Sequence, residues 1–290
     1  MEYQVLTRDA EGYPKRLLER LGDDAPSQLC YHGPLRLLSR FTMAFMCADA
    51  LDGQGFIETN QLLFTIRDYD LNYIGGWHSW METEVFRLGL FFPHPTVTLF
   101  TAKGLGHETF DSYLLDRFYP PIDSFPERKE FYRRAEAGNL LVLSQVPPDT
   151  VSTARRNVIE RNWIACALSD VVFIPYGPKG SKTYTLAKRI KAAGWPVFAL
   201  EHELATDLHQ LGIPGFNRKT VGPFLDRLGA RLSSERPIPE DATPASPVPR
   251  TAELRRAVQS EIPFVSDKPR SENPGDTVDD SQGPSPSSGG

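Results

Sequence analysis

The sequence has no long apolar run, no surplus of positive charge and few cysteines, and each absence narrows the field. Its apolar stretches are of strand length, well short of the ~20 residues that a membrane-spanning helix needs. The opening MEYQVLTRDAEGYP is polar and interrupted, without the order of a secretory signal. The expectation is a soluble, cytoplasmic protein with no membrane partner. Only three cysteines, Cys30, Cys47 and Cys166, occur in 290 residues. They are far apart and show no metal-ligand spacing, so reduced, structural thiols and no metal site are expected. The formal charge is −5, so the chain has no general polycationic surface. Binding to nucleic acid would have to use a local basic face.

What is present is a core. The chain is 40% apolar, and from residue 41 apolar segments alternate with helical patterns. FTMAFMCA (41–48), LNYIGG (71–76), TVTLFTAKG (96–104), NLLVLSQVP (139–147), DVVFIPYG (170–177) and WPVFALE (195–201) read as strands, apolar on both faces. Helices are expected over 56–68, 80–92, 125–138, 152–168 and 183–193. Such strands alternating with helices predict an α/β, Rossmann-like fold, a mostly parallel sheet covered by helices on both faces. Residues 1–40 read as a preamble packed on that core, with one helical face at Leu17, Leu18 and Leu21 and a short strand at SQLCYHG. The core domain is expected over 41–232. Residues 233–290 are rich in proline, serine and glycine, a composition expected to be disordered; TAELRRAVQSEIPF within it could form a short amphipathic turn or two.

Right-handed crossovers would line the glycine-rich strand exits along one edge, where open α/β sheets bind ligands. Three exits stand out: Gly75–Gly76, Lys103–Gly104, and 177–183. In GPKGSKTYT, Gly180 frees the backbone, Ser181, Thr183 and Thr185 offer hydroxyls at a helix start, and Lys179 and Lys182 add charge. That combination suits an anion at a helix N-terminus. The plainer reading is a polar turn with its usual cap residues. It is not a P-loop, because Ser181 rather than glycine precedes Lys182. A helix at 152–168 carries Arg155 and Arg156, which read as a solvated face, and then Arg161 and Asn162, which directly precede its buried segment and suit phosphate, sugar or base contacts. In IGGWHSWMETE, Trp77 and Trp80 could stack on a ring. His78 and Glu82 could share a helix face at i and i+4, a spacing open to catalysis or metal binding, for which packing or helix-terminus duty is the plainer role.

Four collinear segments carry a family resemblance. YPKRLLERLGDDAPSQLCYHGPLRLL resembles the lead-in to the Rossmann-like core of the DNA-processing protein DprA, or Smf, family. IGGWHSWMETEVFRLGL stands where that family has SGLAxGIDxxAH, with Gly76 and Glu82 at its glycine and aspartate. RNWIACALSDVVFIPY is similar to RNRIIAGLSxxVVVVEA, matching at Arg161, Asn162, Ile164, Leu168 and Ser169. GSKTYTLAKRIKAAGWPVFAL is similar to SGSLxTAxxAxxxGRxVFAVPG at Gly180, Ser181 and Thr185. The likeness covers roughly residues 12 to 201. The chain departs from the pattern after the first core strand, where CADALDG replaces a glycine–serine–arginine turn. It departs again near Val85 and Phe86, at Ser144–Gln145 and at Pro175, and no winged helix is recognisable after the core.

The resemblance implies a DNA-processing protein that binds single-stranded DNA, forms a homodimer and assists a recombinase in recombination and transformation. No cofactor and no catalytic residue are implied. By position it assigns phosphate contacts to Arg161, Asn162, Gly180 and Ser181. Gly75, Gly76, Lys179, Lys182 and Thr183 join them on physical grounds. The alternative is a sensor or binder of a nucleotide-derived ligand, which the acidic net charge favours. A phosphoribohydrolase is the third reading, disfavoured because GPKGSKTYT lacks the glutamate of the PGGxGTxxE pattern.

Overall fold

The computed structural model describes residues 2–118 and 120–233. The expected tail lies, except for Ser233, outside the described residues, as does the amphipathic piece within it. Nine strands make one sheet: β1 (Gln4–Thr7), β2 (Gln28–His32), β3 (Phe41–Phe45), β4 (Leu71–Gly75), β5 (Thr96–Thr101), β6 (Leu140–Ser144), β7 (Val171–Phe173), β8 (Val197–Leu200) and β9 (Gly215–Phe216). Their order is β1-β2-β6-β5-β4-β3-β7-β8-β9. The run from β6 to β9 is parallel throughout. The first two strands are antiparallel, β1 to β2 and β2 to β6. The first forty residues therefore extend the sheet as well as packing on it.

Helices α1 (Lys15–Leu21), α2 (Gly53–Thr65), α3 (Trp80–Phe91), α4 (Phe110–Leu115), α5 (Arg128–Arg134), α6 (Arg155–Leu168), α7 (Lys182–Ala192), α8 (Thr206–Gln210) and α9 (Val221–Arg227) connect the strands. Strand side chains alternate between the two faces of a sheet, and the core divides accordingly. Met43, Phe45, Leu71, Tyr73, Val97, Leu99, Val171 and Phe173 pack with residues of α2, α3, α5 and α9. Ala44, Ile74, Phe100, Leu141, Leu143, Val172 and Ile174 pack on the other face with α1, α6, α7 and α8. This doubly wound arrangement is the one the apolar strands and their alternation with helices anticipate.

Helix ends account for several polar residues. The last carbonyls of α6 have no partner within the helix. They are met instead by α1: Arg16 Nη1 donates to Leu168 O at 2.8 Å, and Arg20 Nη1 donates to Ser169 O at 2.7 Å and to Cys166 O and Ala167 O at 3.2 Å. Arg20 also lies over Trp195, which stacks on Trp163 with 4.2 Å between ring centres. The guanidinium of Arg189 covers the far side of Trp163. This four-layer stack ties α1, α6, α7 and the approach to β8 together.

The chain winds from β3 out to β6, then returns to β7 on the other side of β3. The topological switch point therefore lies between β3 and β7, and the parallel strands present their carboxyl ends along one edge.

Candidate nucleic-acid interface

The exit of β4 is built around space rather than an open loop. Trp77 has φ 57°, the only positive φ on a non-glycine residue among those described. That conformation strains an L-residue by roughly 1–3 kcal/mol. It folds the indole back under the turn, where Trp77 is fully buried and its Nε1 donates to Thr98 O at 3.2 Å. Burial of so large a ring, worth roughly 2–3 kcal/mol, offsets the strain. Gly75 makes room for that ring: a Cβ there would meet Trp77 at 3.1 Å and Phe45 O at 3.2 Å. Gly76 makes room for Arg161, because its Cβ would overlap Nη1, Cζ and Nη2 of the guanidinium.

These contacts correct three expectations. Trp77 is enclosed and does not offer a stacking face. Gly75 and Gly76 are buried beneath Trp77 and Arg161, so they accommodate side chains instead of exposing backbone to a ligand. Arg161 is only 2% exposed, with Nη1 donating to Phe100 O at 2.7 Å. It is a buried cation supporting the edge, while Asn162 beside it is half-buried. Burial lowers the Arg161 pKa to about 10, with Glu82 opposing and Arg117 reinforcing the shift, so the side chain remains charged at neutral pH.

Arg161 belongs to a cluster that the sequence did not reveal. Arg117, in the connection after α4, is 8% exposed, and its Nη1 donates to Asp116 O at 3.2 Å. Its Nε and that of Arg161 are buried without a hydrogen-bond partner among the described residues. Lys103, at the exit of β5, pairs with Glu108 at 3.6 Å. His78 stands exposed at the rim of this group. Desolvation, then Arg117, Arg161 and Lys103, all push its imidazole pKa downward. Nothing in LLDRFYP marks Arg117 in advance, since only the packing of the long β5–β6 connection brings it to the β4 and β5 exits.

Glu82 is a helix-terminus residue, and His78 lies ahead of the N-cap instead of sharing a helix face with it. Ser79 caps α3, accepting from Glu82 N at 3.2 Å, while the Glu82 carboxylate reaches back to His78 N at 3.0 Å and Ser79 N at 3.5 Å, a reciprocal capping box. Its other oxygen accepts from Cys47 N at 3.3 Å, joining the exits of β3 and β4. Burial raises its pKa, and these backbone donors with Arg161 oppose the rise. The Ser-x-x-Glu spacing was the sequence signal for this role.

At the switch point, the turn 177–183 connects β7 to α7. Gly180 has φ 89° and open space around it. Ser181 is the N-cap, its Oγ accepting from Tyr184 N at 2.9 Å. Lys179 and Lys182 are exposed, and Thr183 is half-buried. Asp207, which the sequence did not single out, accepts from Lys179 N at 2.7 Å. A carboxylate thus already occupies one amide of the turn. The exposed Asp49 and Asp52 lie at the β3 exit, and Asp52 caps α2 by accepting from Gly55 N at 2.8 Å.

The nine sequence candidates therefore share one edge but not one pocket. Lys179, Gly180, Ser181, Lys182 and Thr183 stand at β7, Gly75, Gly76 and Arg161 gather about β4 and β5, and Asn162 follows Arg161 in α6. Between them is β3, so the two centres are two to three strand spacings, roughly 10–14 Å, apart. Among the described residues no group of three His, Cys, Asp or Glu could hold a metal, and no helix is long and apolar enough to cross a membrane.

Solved structures decide the fold. A DNA processing protein A from Streptococcus pneumoniae superposes with a TM-score of 0.58 at 20% identity, over 74% of this chain and 71% of that one. The Helicobacter pylori protein of the same name gives a TM-score of 0.58 at 20% identity, over 78% and 96%. The fold is that of DNA processing protein A. The Helicobacter structure describes a single-stranded DNA binding mode of that protein. No protein-family model matches the chain. A segment of 76 residues is 33% identical to phosphatidylcholine-sterol acyltransferase of Gallus gallus, over 23% of this chain and 18% of that one. The chain thus spans under a fifth of that relative's length.

Proposed function

We propose that this chain is a DprA-like protein that binds single-stranded DNA along the carboxyl edge of its parallel sheet. The observation that carries the reading is the separation of two cationic centres on that edge. Lys179 and Lys182 stand at the switch point, and beyond β3 stands Lys103, backed by the buried Arg117 and Arg161 and rimmed by His78. A polyanion can engage both positions, whereas one compact phosphate can occupy only one. The amides at Lys182 and Thr183 begin a helix, where donors lack intrahelical partners and the dipole favours anions. Such contacts hold phosphates without reading sequence. The DprA-like fold supports the same assignment; the homodimer, the recombinase partner and the cytoplasmic location are proposed with it on the sequence resemblance alone.

One observation favours a second reading. Asp49 and Asp52 stand exposed between the two centres, where carboxylates repel a continuous phosphate backbone but can accept from ribose hydroxyls. A nucleotide-derived ligand at the switch point would suit them. Photocrosslinking of a halogenated-uracil oligonucleotide, followed by peptide mapping, separates the two. Crosslinks in both 76–82 and 177–185 support the strand, and crosslinks confined to 177–185 support the compact ligand.

A further inference from the structure

Trp80 is the one large aromatic side chain standing markedly exposed among the described residues, at 41%. It opens α3, two residues beyond His78, which rims the cationic cluster. One face of its indole is stacked on Phe56, from the first turns of α2, with ring centres 4.3 Å apart and planes 13° from parallel. The contact fixes the orientation of the ring, and the exposure leaves part of its surface to solvent. The two aromatic residues belong to the helices that follow β3 and β4, which pack on the sheet face opposite α6 and α7. Three features lie close together there: an oriented π-surface, the exposed His78 two residues before it, and the buried Arg117 and Arg161 near enough to act on that histidine.

We propose that the Trp80–Phe56 stack is a nucleobase platform, on which a base rests against Trp80 while its phosphates meet the flanking cations. This deepens the DNA-binding reading and rests on it. An oriented ring accepts any base, because every base has a π-face, and it loses little conformational freedom on binding. The exposed Asp49 and Asp52 are compatible with a base at this position. They disfavour a phosphate there and turn the backbone outward, so that bases face the protein. The same stacking would take the base of a free nucleotide, so the shared chemistry is an aromatic nucleobase.

The test measures binding of labelled oligothymidylate and of a length-matched abasic strand, which keeps the phosphates and lacks the bases. Wild type, Trp80→Ala and Trp80→Phe are compared, with thermal unfolding of each as the folding control. Base stacking predicts that Trp80→Ala loses about 5- to 150-fold in affinity for oligothymidylate, leaves abasic binding unchanged, and is largely rescued by Trp80→Phe. Equal loss on both strands, or no loss on oligothymidylate, overturns the platform while leaving DNA binding intact. Failure of wild type to bind either strand overturns the DNA-binding reading itself. Thymidine monophosphate then serves as the second arm: saturable binding weakened by Trp80→Ala places a free nucleotide on the platform, and binding indifferent to Trp80 removes the platform altogether.

Discussion

Replacing Gly76 with alanine tests the buried architecture of the β4 exit. The added methyl would fall on the guanidinium of Arg161, overlapping three of its atoms. The neighbour cannot simply lean away, since Arg161 is 2% exposed and its Nη1 is bonded to Phe100 O. Either the main chain at 76 shifts, disturbing the strained Trp77 beside it, or the guanidinium leaves Phe100 O. The second course leaves a buried charge without its acceptor, a loss of about 3–5 kcal/mol by analogy with broken buried pairs. Urea unfolding of Gly76→Ala, Arg161→Ala and the double variant measures the coupling. The two substitutions should be strongly non-additive, the double variant being destabilised little more than Arg161→Ala alone. Additive effects, or a Gly76→Ala loss below about 1 kcal/mol, would refute the claim that this glycine exists to admit Arg161.

Other consequences are open to direct measurement. The His78 imidazole should titrate below its ordinary 6.5 in NMR spectra, and Lys103→Met should move it upward; an unshifted value would remove His78 from the influence of the cations. With its folded pKa depressed, His78 contributes stability that is present above 6.5 and declines as the pH falls below it. The raised pKa of Glu82 acts oppositely, since protons bind more tightly to the folded state just above the usual carboxylate range. Asp49→Asn and Asp52→Asn should each tighten binding to single-stranded DNA by about twofold at low salt, an effect that fades as salt rises. Asparagine at 52 retains the helix cap, so an accompanying loss of stability would count against that assignment. Arg20→Ala should lower unfolding stability by about 1–3 kcal/mol in urea melts, because it strips acceptors of their donor at the end of α6; an unchanged midpoint would show that water replaces it fully.

Much of the fold could be read from the chain because β3 to β8 are buried on both faces and mostly apolar. The helix expected over 80–92 is α3 at Trp80–Phe91, and that expected over 183–193 is α7 at Lys182–Ala192. β1 escaped notice because QVLT buries one side chain only, Leu6, and leaves the others at the surface. β9 is two residues long and α8 five, too short for periodicity to register. The candidate site was legible as an edge and illegible as a set of contacts. Glycines before a helix read alike whether they admit a ligand or a side chain, and only the packing shows Trp77 and Arg161 filling the space at 75 and 76. Arg117 and Asp207 come from segments distant in sequence. The Glu82 cap, by contrast, was available in the Ser-x-x-Glu spacing.

The central claim is that an acidic protein holds a single strand through two separated basic positions. Fluorescence anisotropy with a labelled single-stranded oligonucleotide, at low and moderate salt, tests it in wild type and in a Lys179→Glu, Lys182→Glu variant. Both lysines are exposed, so the substitutions leave the buried charge cluster intact, whereas a change at Arg161 would report on folding as well. The account predicts saturable, salt-sensitive binding whose logarithmic salt slope falls by about 0.7 for each phosphate the variant no longer neutralises. Absence of binding by folded wild type at low salt, or binding indifferent to both lysines and to salt, would contradict it.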